Sequence, residues 1–72
     1  MPLIMADPGR PSEIKKIIGK DEVKKLLGSL GFVEGEMVTV VSQISGSVIV
    51  NIKNTRVAID RAMAQRILVS AC

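Results

Sequence analysis

The side chains that most often carry out chemistry are nearly absent from this chain. It has no histidine, so the usual general base at neutral pH is missing. Its only thiol is Cys72, the last residue of the sequence. Neither a Ser-His-Asp nor a Cys-His arrangement can be assembled from that set. Seven carboxylates are scattered along 72 residues. Catalysis by a carboxylate pair needs a deep pocket, which a chain of this length rarely encloses. The glycines at 28, 31 and 35 follow an amphipathic stretch, whereas a phosphate-cradling loop precedes its helix. Soft or borderline metals want several Cys or His ligands, and this chain offers one thiol. The reading is not an enzyme: no catalytic residues, no cofactor and no metal ligands. Cys72 is expected to be a free terminal thiol. The four methionines are expected to fill gaps in the core.

Binding is what remains. Ten basic and seven acidic residues leave a net charge of +3. So mild an excess reads first as a solvated surface, and more sharply as a footprint for RNA, an acidic protein or an anionic membrane. Small RNA-binding barrels present aromatic residues on which bases stack. Here the only aromatic is Phe32, at the end of an apolar helix. Nucleic acid is therefore not the expected partner, and a groove for proline-rich peptides lacks its aromatic lining for the same reason. The surfaces left are aliphatic patches, charge and a sheet edge. A single cysteine implies no oxidising compartment. No apolar run approaches the ~20 residues of a membrane-spanning helix. Met1-Pro2-Leu3-Ile4-Met5 is too short, and lacks the preceding positive charge, for a secretory signal. A cytoplasmic location is the default expectation.

The elements that would position such surfaces can be read in order. Hydrophobic residues are 47% of the chain, enough to offset ordering entropy in one small domain spanning 1–72. Asp7-Pro8-Gly9 signals a turn. Ile14, Ile17 and Ile18 favour a strand from about Ser12 to Ile18, with imperfect alternation that allows a bulge or an edge position. Val23, Leu26, Leu27 and Leu30 fall at i, i+3, i+4 and i+7, one apolar stripe of a helix. Asp21 can cap or favour its start and has ion-pair spacing to Lys25. Gly31 suits the left-handed residue that ends a helix, with Phe32 folding back over the last turn. Gly28 is a mid-helix defect, read as close backbone packing against the sheet.

A β-rich run covers Met37 to Ile44, and Ser45-Gly46-Ser47 turns it. Val48, Val50 and Ile52 then alternate with Ile49, Asn51 and Lys53 as in a half-buried strand. Asn54-Thr55 reads as a two-residue turn into the shorter strand Arg56-Val57-Ala58-Ile59. Asp60 can cap one helical turn over Arg61 to Gln65, and Ile67-Leu68-Val69 can close against the first strand. The order β-α-β-β-β-(short helical turn)-β is mainly β with one helix. It describes a small, partly open SH3-like barrel.

Taken together, these residues resemble the ferrous iron transport protein A (FeoA) family. The resemblance is carried by the helix Val23–Leu30 and the following Leu30-Gly31-Phe32-Val33-Glu34-Gly35. The strand Met37-Val38-Thr39-Val40-Val41 continues it. So do Val48-Ile49-Val50-Asn51-Ile52, Arg56-Val57-Ala58-Ile59, Ala64 and Ile67-Leu68-Val69. Asp7-Pro8-Gly9 also fits. Two positions depart from the family habit: Glu34 stands where proline is common, and the Ser45-Gly46-Ser47 turn is short. The resemblance implies a small cytosolic SH3-like domain that acts by protein–protein contact. Its expected partner is the cytoplasmic part of the FeoB-type transporter, a GTP-binding membrane protein, with any membrane association only through that partner. Candidate contacts are Lys24, Lys25, Leu27, Phe32 and Arg56; for Leu27 and Phe32 a plain core role competes. The alternatives are a small RNA-binding β-barrel and a self-associating structural domain. The second would be related to the C-terminal domain of metal-dependent repressors, with exposed Ile or Val on an edge strand supporting self-association.

Overall fold

The computed structural model of the protein describes residues 1–71, so the expectation for Cys72 lies outside the described residues. The chain runs β1 (Pro11–Ile17), α1 (Asp21–Ser29), β2 (Met37–Ile44), β3 (Ser47–Ile52), β4 (Thr55–Asp60), α2 (Arg61–Gln65) and β5 (Ile67–Ala71). The strands form one antiparallel sheet in the order β4-β3-β2-β1-β5. It is the mostly β, SH3-like arrangement expected from the sequence.

Turn chemistry sets the register. Arg10 N–H donates to the Asp7 carbonyl at 3.2 Å across Pro8-Gly9, and Gly9 takes φ 83°. Proline then glycine at these positions is the signature of a type II turn. The β3–β4 hairpin turns on Lys53 and Asn54, both at positive φ (50° and 62°), so that Ile52 faces Thr55. The turn therefore lies one residue earlier than Asn54-Thr55. That placement would force β-branched Thr55 to positive φ, which costs more than placing Asn there. The β2–β3 turn is Ser45-Gly46, and Ser47 already pairs with Ile44.

β1 begins one residue earlier than expected and ends at Ile17, leaving Ile18 exposed. Its broken alternation is a bulge at Lys15 against β5. β1 is an inner strand, not an edge. Val38, Val40, Val48, Val50 and Ile52 turn inward from the meander. They join Ile14, Ile17, Ile59, Ile67 and Val69 in one core cluster. The amino-terminal segment enters that core as well. A short 3-10 turn over Leu3–Met5 buries Leu3 and Ala6, a role that no periodicity in six residues announced. Asp60 caps α2 as expected, its Oδ1 accepting from Met63 N–H at 2.7 Å.

Candidate partner-docking surface

Helix α1 is held to the barrel by its carboxyl end. Gly31 N–H donates to the Gly28 carbonyl at 3.0 Å, and Phe32 N–H to the Leu27 carbonyl at 2.9 Å. Gly31 sits at φ 104°. This pair of bonds is the Schellman motif, which brings the residue after the glycine back over the last turn. Phe32 and Leu27 are both 0% exposed, in the same cluster. They hold the helix in place and are not available to a partner. The expectation that they contact one is corrected on that ground.

The apolar stripe also divides. With about 100° of rotation per residue, Leu26 and Leu30 lie roughly 100° and 60° round the helix from Leu27 on one side. Val23 and Leu27 face the core, whereas Leu26 is 51% and Leu30 41% exposed. The core takes only one edge of the stripe, that of Leu27 and Val23. Val33, two residues past the helix-ending glycine, is 41% exposed as well. Sequence reasoning puts Leu26 and Leu30 in one stripe with Val23 and Leu27 and gives Val33 no surface role. The available signal was that a nine-residue helix with one buried side does not need four large apolar residues.

Lys24 and Lys25 are exposed on α1. The ion pairs among the described residues are Asp7–Arg10, Glu13–Lys15 and Glu36–Lys53. Both helix lysines therefore keep uncompensated charge, and the expected Asp21–Lys25 pair does not form. Asp21 is the first helical residue, not the cap; Lys20 precedes it with no side-chain cap bond. Asp21 and Glu22 instead stand in the first turn, where the helix dipole favours negative charge. Gly28 is not required by tight packing against the sheet. A Cβ built there would meet nothing within 4 Å, which corrects the expectation of close backbone packing.

Arg56 lies on β4, opposite Asn51 of β3. The helix end approaches the same hairpin: a Cβ on Gly31 would sit 3.6 Å from Lys53 Cδ and 3.8 Å from Ile52. The structure thus brings the carboxyl end of α1 to the β3–β4 turn. It leaves the lysines on the helix and Arg56 on the strand. The turn leading into β2 is fixed by Glu36 N–H donating to the Val33 carbonyl at 3.1 Å, with Gly35 at φ 88°. Glu34 therefore occupies the position of a type II turn that suits proline, so the departure at Glu34 leaves the turn intact.

On the outer face of β2 and β3, a polar groove of about 560 Å³ is lined by Glu36, Met37, Thr39, Asn51, Lys53 and Asn54. Its single carboxylate is held 3.8 Å from the Lys53 ammonium. Among the described residues, no three side chains of the His, Cys, Asp or Glu type converge as metal ligands. No helix among them is long and apolar enough to cross a membrane.

Comparison with known proteins agrees with this architecture. The profile of the FeoA domain matches residues 1–71. An iron uptake regulatory protein, FeoA, known from a crystal structure superposes with a TM-score of 0.92 at 26% identity, covering 100% of this chain and 96% of that one. The FeoA of Stenotrophomonas maltophilia, solved with zinc, superposes with a TM-score of 0.82 at 26% identity, covering 97% and 89%. It is described as an SH3 domain protein and a candidate ferrous iron transport activating factor. A manganese-dependent transcriptional repressor shares the fold over 100% of this chain but only 36% of its own length, at 20% identity and a TM-score of 0.90. No curated protein sequence matches the chain.

Proposed function

The chain belongs to the FeoA domain family, and on that premise we propose that it is an accessory protein of ferrous iron uptake that docks on the cytoplasmic part of an FeoB-type transporter. The observation that carries the reading is the divided face of α1. Leu26 and Leu30, which the barrel does not cover, lie on one flank of Leu27; unpaired Lys25 follows beyond Leu26 on the outward side, and unpaired Lys24 lies on the opposite flank. An aliphatic centre with charge at its margin is the composition of a protein-docking surface. Arg56, on the β3–β4 hairpin whose turn the helix end approaches, is the further candidate contact.

Docking changes transport only if the two conformational states of the transporter bind the domain unequally. The proposed part of this chain is therefore recognition, not chemistry. The lysines steer association with an acidic surface, and the aliphatic residues hold the complex. Cytoplasmic residence follows from the same proposal.

The test is titration of the purified chain against the soluble GTP-binding part of the transporter from the same organism. Reversing both charges with Lys24→Glu and Lys25→Glu should weaken binding by about tenfold or more, chiefly through a slower association rate. The melting temperature should stay nearly unchanged, since both side chains are exposed. Unaltered affinity in a folded double variant removes this face of α1 from the proposal.

A further inference from the structure

We propose that β4 is a self-pairing edge, along which two copies of this chain join antiparallel about a two-fold axis at Ala58. The two outer strands of the sheet are β4 and β5, and they are treated differently. The free side of β5 is occupied: Pro2 bridges Leu68, and Val69 N–H donates to the Met1 carbonyl at 2.7 Å. Among the described residues, no strand pairs with the other side of β4, and beyond β3 and α2 no element packs closely along it. An unpaired strand edge is a template for another strand.

The hairpin decides which groups that edge presents. In a two-residue turn with both residues at positive φ, the flanking residues exchange both hydrogen bonds, and hydrogen-bonded pairs then alternate along the ladder. Ile52–Thr55, Val50–Val57 and Val48–Ile59 are the hydrogen-bonded pairs on that rule. Arg56 and Ala58 therefore turn their N–H and C=O groups away from β3, toward the open side; Asp60 turns its N–H there, while its C=O, as the cap of α2, receives the first bond of that helix. Their side chains are also exposed, while Ile59 is buried.

The order of charges on β4 selects the register. With Ala58 opposite itself, Arg56 stands opposite Asp60 of the second copy, and the reverse holds across the axis. Val57 stands opposite Ile59. The two charge pairs and the two aliphatic pairs are the combinations that stabilise antiparallel neighbours. A two-fold axis at Arg56 would place like charges face to face, and an axis at Asp60 would do the same. Ala58 offers the smallest side chain where the two copies meet. Asp60 spends one carboxylate oxygen on Met63 N–H, which leaves the other for Arg56. The contact is isologous, so it closes as a dimer and does not propagate. An edge of five residues is at the small end of interfaces, so the dimer forms at sub-millimolar concentrations, not nanomolar ones.

The experiment uses the full chain under reducing conditions, so that Cys72 cannot link copies. Sedimentation and amide exchange are followed over about 0.02 to about 1 mM. The expected result is a dimer in which the Arg56 and Ala58 amides gain protection with concentration while the Val57 amide, already bonded to β3, does not change. Ala58→Pro removes an outward N–H and no β3 bond, a change that an edge strand accepts. It should abolish the dimer with the native fold retained. Arg56→Glu should weaken the dimer by about tenfold or more, since both charge pairs become repulsive. Arg56 also belongs to the proposed transporter face, and Ala58→Pro separates the two ideas: it should leave docking on α1 unaltered. A chain that stays monomeric at about 1 mM overturns the proposal. So does a dimer whose protected amides lie on α1, or one that survives both substitutions.

Discussion

The β2–β3–β4 meander and helix α1 are both written in aliphatic residues, yet they spend them differently. In β3, Val48, Val50 and Ile52 are all essentially unexposed, and each large residue on the core side of the pleat has a place in the core. In α1, of four aliphatic residues at helical spacing, only Leu27 is fully buried and Val23 half-buried, while Leu26 and Leu30 are open to solvent. A strand has two faces 180° apart, so a slip of one residue would expose the whole set. A helix has no such discontinuity. Its apolar arc can be wider than the groove that receives it, and the surplus is free for another surface. The difference teaches where to look for function in so plain a chain: in the apolar surface that the fold does not consume.

The largest effect that can break this contrast comes from truncating the two leucines that stand side by side. Leu27→Ala should cost about 3 to 5 kcal/mol, because it leaves a cavity among fully packed neighbours. A domain this small has on the order of 4 to 10 kcal/mol in total, so the variant should be marginal or unfolded at physiological temperature. Leu26→Ala should shift stability by no more than about 0.5 kcal/mol, being half exposed, and should lower affinity for the transporter's cytoplasmic part. Urea denaturation of the two variants, with titration of the second, checks both halves. Equal losses of stability would mean that the stripe acts as one core face and that α1 has no surplus.

A smaller effect tests how the helix is fastened. Gly31→Ala places a Cβ at φ 104°, 3.6 Å from the Lys53 side chain and against Ile52. The strain should cost about 1 to 2 kcal/mol. The loss should appear as earlier release of α1 from the hairpin. Hydrogen exchange would then show the Phe32 amide losing protection before the Val50 amide does. Simultaneous loss would mean that helix and meander open as one unit.

How legible all this was in the sequence follows from the same physics. The meander could be read because alternation, a glycine at 46 and an asparagine at 54 each state a backbone geometry locally. The β3–β4 turn was off by one residue because Asn54 admits either position of a two-residue turn. Only Thr55, which resists positive φ, excludes the later one. The helix end was legible because Gly31-Phe32 names a motif whose bonds are all local. Leu3 was not legible, since three residues of 3-10 turn carry no period and its burial depends on α2 and β5, which come at the other end of the sequence. The exposure of Leu26 and Leu30 was not legible either. A stripe gives the width of the apolar arc, and only the assembled barrel gives the width of its seat. Among the candidate contacts, Lys24, Lys25 and Arg56 could be named from charge alone. Leu27 and Phe32 were drawn to the surface by their position near a turn and returned to the core by the Schellman geometry.

The smallest effect sharpens the contrast most, because it separates the two flanks of α1. Gly28 lies about 100° from Leu27 on the side opposite Leu26, one turn beyond Lys24. Nothing stands within 4 Å of a Cβ built there, so Gly28→Ala meets no steric cost in the domain. It removes a mid-helix glycine, and the expected gain is up to about 1 kcal/mol, read as a higher urea midpoint. A residue that weakens its own helix without helping its own core is explained if something outside approaches the backbone closely at that point. The added methyl should then reduce affinity for the transporter's cytoplasmic part even as the domain becomes more stable. If stability rises and affinity does not fall, the Lys24 side of the helix is not part of the contact. Recognition would then rest on Leu26, Leu30 and Val33, and Lys24 would steer association without touching the partner.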